Sequence, residues 1–120
     1  MMTDEVLETL KKARKLLEIG WCQEAEAEDD EGMSVPAGDP SAVRWCLTGA
    51  LGCASTGSEN YQRAIAEVNR VIGPDEVIGP VGNVVVWNDT PDRTDEEVLR
   101  LLDSIIESNP DWLREGDPED

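Results

Sequence analysis

The chain has 120 residues, the length of one domain, and its 27 acids against 10 bases give a net charge of −17 without a single His. Charge of that sign repels a phosphate backbone and an anionic membrane surface, so neither nucleic acid nor membrane is expected as a partner. The missing His removes the commonest general base, and no Gly-rich phosphate loop occurs.

No stretch approaches the ~18 apolar residues that cross a bilayer. The start, Met1-Met2-Thr3-Asp4-Glu5, has neither the basic residues nor the apolar run of a secretion signal, so a cytoplasmic location is expected. Cys22, Cys46 and Cys53 cannot all pair, which suits a reducing compartment. With no Cys-x-x-Cys and no His they lack metal-ligand spacing, and small buried hydrophobes are the expectation for all three. There is no Phe, so Trp21, Trp45, Trp87 and Trp112 carry most of the aromatic volume and are expected to organise the packing.

The first element is a helix over residues 4–19. Val6, Leu10, Ala13, Leu16 and Leu17 recur at helical spacing behind a Thr3 or Asp4 cap, and Gly20 is expected to end the helix in a left-handed conformation. Residues 23–36 change period. Ala25 and Ala27 alternate with Glu24, Glu26 and Glu28, and Met33 and Val35 alternate beyond an Asp-Asp-Glu-Gly turn at 29–32. That pattern predicts a short hairpin, with an irregular acidic loop as the alternative because Glu and Ala are poor strand formers.

Asp39-Pro40 carries the mark of a helix start, and the stripe Val43, Cys46, Leu47, Ala50, Leu51 predicts a helix over 40–54. Its small residues, Gly49, Ala50, Gly52, Cys53 and Ala54, let another element approach closely. Ser58 is expected to cap a third helix to about Ile72, with Tyr61, Ile65, Val68 and Ile72 on one face and Gly73-Pro74 stopping it. Residues 77–87 hold two β-branched runs around Gly79-Pro80-Val81-Gly82-Asn83, which predicts an extended segment with a turn. Thr94-Asp95-Glu96-Glu97 is a capping box that opens a last helix to about Ser108. Trp112 and Leu113 are expected to fold back on the core, and the acidic tail 115–120 to fray.

Four constellations carry chemistry. The first is Trp87, Asn88, Asp89, Arg93 and Thr94, between an apolar run and a capped helix. It offers an amide, a carboxylate and a guanidinium fork next to a helix N-terminus that attracts anions, and so is the candidate pocket for a polar or anionic ligand. The alternative is a self-satisfied loop in which Asp89 pairs with Arg93, Asn88 makes an Asx turn and Trp87 packs in the core. The second is Trp45-Cys46-Leu47-Thr48-Gly49-Ala50-Leu51. The Trp-Cys pair also occurs at Trp21-Cys22, but the flanks differ and no repeat follows. With no His and with Arg44 expected on a different face, Cys46 reads as packing rather than as a nucleophile. The third is the acidic run Glu24, Glu26, Glu28, Asp29, Asp30, Glu31, which lacks the spaced carboxylate frame of a calcium loop and reads as solvated surface. The fourth is Lys11, Lys12, Arg14 and Lys15, which together with three acids in residues 1–15 make the one stretch that is not acidic. It reads either as a docking patch or as partners for acids of the same or a neighbouring molecule.

Two stretches, Arg44-Trp45-Cys46-Leu47-x-Gly49-Ala50-Leu51 and Trp87-Asn88-Asp89-x-Pro91-x-Arg93-Thr94 with Glu97-Val98 behind it, resemble an uncharacterised family of small proteins of actinobacteria and their phages. Gly20-Trp21, the turn from Asp29 to Gly32 and Pro40-Ser41-Ala42 before Trp45 are similar to the same pattern, which spans residues 5–108. The middle and the tail are more acidic here. The resemblance brings a domain of unknown function and no activity. It implies a bacterial or phage origin and directs attention to residues 87–94.

The expected fold is mainly α, about four helices with a minor β element, in one small α+β domain over residues 1–114. The expected function is that of a non-enzymatic acidic interaction or regulatory protein with a protein partner and no cofactor or metal. The alternative is a small-ligand-binding or catalytic domain with its pocket around residues 87–94. A DNA mimic is the third reading.

Overall fold

A computed structural model describes residues 3–73, 75 and 77–108. The chain runs α1 (Asp4–Ile19), β1 (Ala27–Glu28), β2 (Ser34–Val35), β3 (Arg44–Trp45), α2 (Leu47–Ala54), α3 (Ser58–Ile72), α4 (Gly79–Asn88) and α5 (Asp95–Glu107). It is the mainly helical α+β fold expected, with five helices among the described residues instead of about four, and a small three-stranded sheet. The expected boundary at residue 114, the packing of Trp112 and Leu113 and the tail 115–120 lie outside the described residues.

Helix α1 begins where Thr3 accepts a hydrogen bond from the Val6 amide, 3.2 Å, with Asp4 and Glu5 on the favourable end of the dipole. It buries Val6, Leu7, Leu10, Ala13 and Leu17 against α2, α3 and α5. Arg14 lays its guanidinium fork across both oxygens of Asp103 on α5 and also meets Glu18, so this member of the basic patch is engaged within the chain. Gly20 ends the helix differently from expectation. Its φ is −175°, extended backbone, and what demands glycine is proximity: a Cβ there would sit 2.4 Å from the Val43 carbonyl oxygen and 2.6 Å from the Arg44 side chain.

The hairpin forms. Ala27 pairs with Val35 and Glu28 with Ser34, around a turn in which Asp29 accepts from the amides of Glu31 and Met33, each at 2.9 Å, and Gly32 takes φ 84°. A third strand, β3, pairs on the other side of β1, so the order is β2-β1-β3. This strand replaces the first half of the helix expected over 40–54. Asp39 uses its carboxylate on the amide and hydroxyl of Ser41, an Asx turn, and caps no helix. The backbone then joins the sheet: the Val43 amide donates to Glu28, the Trp45 amide to Gly20 and the Cys46 amide to Glu26. Only from Leu47 is the backbone free to coil, and Cys46 caps α2 through its sulfur, which accepts from the Gly49 amide at 3.3 Å.

Helix α4 overturns the extended segment expected over 77–87. β-branched residues disfavour a helix only weakly, and tertiary packing wins. Val84 and Asn88, one turn apart, are both fully buried, and Pro80 sits in the first turn where its missing amide costs nothing. Helix α3 carries the expected face, although its cap position is Gly57 and Ser58 is its first residue. Helix α5 has its capping box: Thr94 accepts from the Glu97 amide at 3.2 Å, and Glu97 accepts from the Thr94 amide at 3.0 Å.

The core is aliphatic. Leu7, Leu10, Leu47, Leu51, Ile65, Leu102 and Ile105 are its largest fully buried side chains, Trp45 is buried at the edge, and Trp21 and Trp87 are half-buried. The three tryptophans among the described residues do not centre the interior as expected, because the leucine and isoleucine stripes of α1, α2, α3 and α5 fill it first.

Candidate functional site

The two Trp-Cys dipeptides lie side by side. Trp21 and Trp45 form a parallel bridge, with the Cys22 amide donating to the Trp45 carbonyl and the Trp45 amide to the Gly20 carbonyl, each at 3.1 Å. Asn88, from the last turn of α4, closes on this junction. Its Oδ1 accepts from Trp21 Nε1 at 2.8 Å and from the Leu47 amide at 3.0 Å, while its Nδ2 donates to the Cys22 carbonyl at 3.2 Å and to Asp89 at 2.9 Å. Both Oδ1 partners are donors only, which fixes the orientation of the amide. Every bonding position of this 1 % exposed side chain is filled from within the protein.

The other sequence candidates separate around Asn88. Trp87 and Arg93 stack, with the guanidinium carbon 3.8 Å from the ring centre. Arg93 Nε donates to the Trp87 carbonyl at 2.9 Å and Nη1 lies 3.7 Å from Glu97. Thr94 is the α5 cap. Asp89 does not pair with Arg93; it accepts from the Glu24 amide at 3.0 Å. Gln23 ties the same loop down by donating to the carbonyls of Asn88 and Thr90, 3.0 and 3.1 Å. The 88–94 loop is therefore closed, though by segment 21–24 and Trp87 rather than by the expected Asp89–Arg93 pair.

Asn88 and Asp89 also face an open cleft of about 700 Å³, and Trp87, Arg93 and Thr94 are not among its lining residues. The cleft lies between the 24–26 strand approach, the exposed side of α2, the start of α3 and the end of α4. Gly49 sets its depth. A Cβ there would fall 2.2 Å from the Glu26 carbonyl oxygen, so only glycine lets the acidic segment rest on α2. Gly52 faces the Tyr61 ring, where a Cβ would make ordinary contact at 3.7 Å.

Glu24, Glu26 and Asp89 supply carboxylates to the lining, Thr48, Ser55, Ser58 and Tyr61 supply hydroxyls, and no Lys or Arg is present there. Burial pushes the Tyr61 phenol up, so it stays a neutral donor. Glu24 holds φ 66°, an unusual conformation for that residue, where its amide reaches Asp89. Among the described residues no group of three acids or thiols converges closely enough to hold a metal ion. Within the acidic run Glu26 Oε2 accepts from the Ala37 amide at 3.0 Å, Glu28 pairs with Arg44 at 3.0 Å and Asp29 caps the hairpin turn, while Asp30 and Glu31 are exposed. Cys46 lines the cleft, but its sulfur is occupied by the Gly49 amide and by Thr48 Oγ1 at 3.2 Å, with no base beside it. The cleft is thus suited to bind cationic or hydroxyl-bearing groups and has no activated nucleophile.

The first constellation supplied Asn88 and Asp89 to the cleft, the second supplied Cys46, Thr48 and Gly49, and the acidic run supplied Glu24 and Glu26. Tyr61, Ser55 and Ser58 carried no signal, because only the packing of α3 on α2 brings them there. No helix of the described residues is long and apolar enough to cross a membrane. No curated protein and no solved structure matches the chain. Residues 1–108 match the family of unknown function DUF6197, and the chain belongs to that family.

Proposed function

We propose that this is a non-enzymatic interaction protein of the bacterial or phage cytoplasm that takes cationic side chains of a protein partner into the acidic cleft. One observation carries the reading: the cleft has three acidic residues and no Lys or Arg in its lining. The carboxylates are spread around it instead of focused on one point, which fits several lysine or arginine heads better than a single metal ion. The low-dielectric walls of a cleft strengthen such pairing relative to open surface. Asn88 serves as the strut that holds this wall, and Asp89 as a contact.

The test is an anisotropy titration with a fluorescent oligolysine. Binding is expected, and it weakens between about 50 and 300 mM salt. Substituting Glu24→Gln, Glu26→Gln and Asp89→Asn together lowers the affinity about tenfold. Neutralising three acids elsewhere, Asp92→Asn, Asp95→Asn and Glu96→Gln, changes it less than about twofold. Equal losses in the two sets would mean that bulk charge alone attracts the peptide, and the reading would fall.

A further inference from the structure

Residues 77–88 contain no charged side chain, in a chain where almost one residue in three is charged. Within that run Val77 is 93 % exposed, Val86 56 %, Ile78 44 %, Val81 40 % and Val85 37 %. Five of the eight large exposed hydrophobics among the described residues therefore fall on one ten-residue segment. A helix apolar all round belongs inside a protein. Helix α4 is apolar on both sides, yet only the side bearing Val84 and Asn88 meets the core. Val81 and Val85 lie one turn apart on a helix face, about 6 Å along the axis, and Val77 precedes the helix in the turn before it. The stripe ends at the cleft, because Val85 also lines it alongside Glu24, Glu26 and Asp89.

We infer that the valine face of α4 and the acidic cleft are one docking surface, and that its occupant is a basic amphipathic segment of a partner protein. The segment lays its apolar side on Val81 and Val85 and its lysine or arginine heads on Glu24, Glu26 and Asp89. This rests on the reading of the cleft given above and adds the apolar half of the partner. Charge selects the occupant. A second copy brings another −17 to the same place. Residues 109–120 of this chain carry five acids and one base and would meet the carboxylates with like charge. A basic amphipathic helix satisfies both halves at once.

The probe is a Leu/Lys peptide of about 18 residues, five helical turns, with its leucines on one face. A peptide of the same composition but without an apolar face, and an oligolysine of equal charge, are the comparisons. The full-length protein is expected to bind the faced peptide at least tenfold more tightly than the scrambled one. The pair Val81→Thr and Val85→Thr, near-isosteric and uncharged, removes that preference, and Val81→Thr alone, outside the cleft lining, lowers it and leaves oligolysine binding unchanged. Val77→Thr, at an almost fully exposed position outside the helix, lowers the preference by a smaller factor without bearing on the fold. If the faced and scrambled peptides bind alike, or the preference survives the valine substitutions, the inference is overturned while the cleft reading stands. If oligolysine fails to bind, the cleft reading fails by itself. A wild-type dimer that the valine substitutions disperse would assign the face to a second copy and overturn the inference as well.

Discussion

Replacing Asn88 tests the architecture at the point where most of it converges. In Asn88→Ala the Leu47 amide and the Cys22 carbonyl lose their partner. Both residues are buried, so water does not readily replace it. Each stranded buried group costs about 1–3 kcal/mol. The Trp21 indole is half-buried and can find water. The expected loss is therefore about 2–6 kcal/mol, a large part of the roughly 6–18 kcal/mol that a chain of this length holds at about 0.05–0.15 kcal/mol per residue. Urea unfolding followed by tryptophan emission measures it, and Trp21 reports locally. Asn88→Asp is the sharper variant. It keeps both acceptor bonds but puts a second negative oxygen against the Cys22 carbonyl and Asp89. Burial and the neighbouring carboxylate raise the folded pKa of the introduced group above its unfolded value. The variant is then least unstable in acid, and it loses stability as pH rises from the ordinary carboxylate range through that raised value. An Asn88→Asp protein as stable as wild type at neutral pH, or an Asn88→Ala protein losing less than about 1 kcal/mol, would refute the buried four-bond arrangement.

Gly49→Ala is expected to destabilise by about 1–3 kcal/mol because its Cβ meets the Glu26 carbonyl oxygen. Gly52→Ala, with only ordinary contact to Tyr61, is expected to be neutral or up to about 1 kcal/mol stabilising; thermal melts of the pair separate close approach from helix propensity. Burial, with a smaller contribution from Glu28, pushes the Cys22 thiol up to about 12. Its stabilising contribution is therefore present below the ordinary thiol value near 9 and is lost as pH rises from there through about 12. Cys22→Ala should flatten that part of the alkaline stability curve. Thr94→Ala removes the side-chain half of the α5 capping box and is expected to cost about 1 kcal/mol in urea unfolding.

The elements whose signals are local were legible in the sequence. Helix α1, the Asp29–Gly32 turn, helix α3 and the Thr94–Glu97 box each declare themselves within four residues, and each forms. The misreadings occur where a local signal meets a distant competitor. Asp39-Pro40 looks like a helix start until β1 claims the amides of Val43 and Cys46 through Glu28 and Glu26. The valines of 84–86 look extended, behind a turn at 79–83, until Val84 and Asn88 are seen to share one buried side of a helix. A β-strand there would alternate Val84 and Val86 on one face. The structure instead buries Val84 and leaves Val86 exposed, which only helical spacing does.

The candidate site was half legible for a related reason. Residues 87–94 read as one cluster because they are contiguous, but a helix ends in their midst. Asn88 is the last residue of α4 and points into the protein, and Asp89 follows it to the cleft. The chain then turns through Asp92 at φ 71° and delivers Arg93 back onto Trp87. The partners that complete the site lie far away in sequence: Trp21, Cys22, Gln23 and Glu24 meet Asn88, Asp89 and Thr90 across some 65 residues. The doubled Trp-Cys dipeptide was the one trace of this in the sequence. Two rare dipeptides with unlike flanks make no repeat, yet a parallel bridge needs no matching flanks. It needs two extended segments whose backbones meet, which the closely approached Gly20 permits and Asn88 secures from the far side. The acidic run, which reads as solvated surface in the sequence, instead brings Glu24 and Glu26 to a cleft that Asp89 also lines, next to an uncharged, saturated amide and an uncharged valine face.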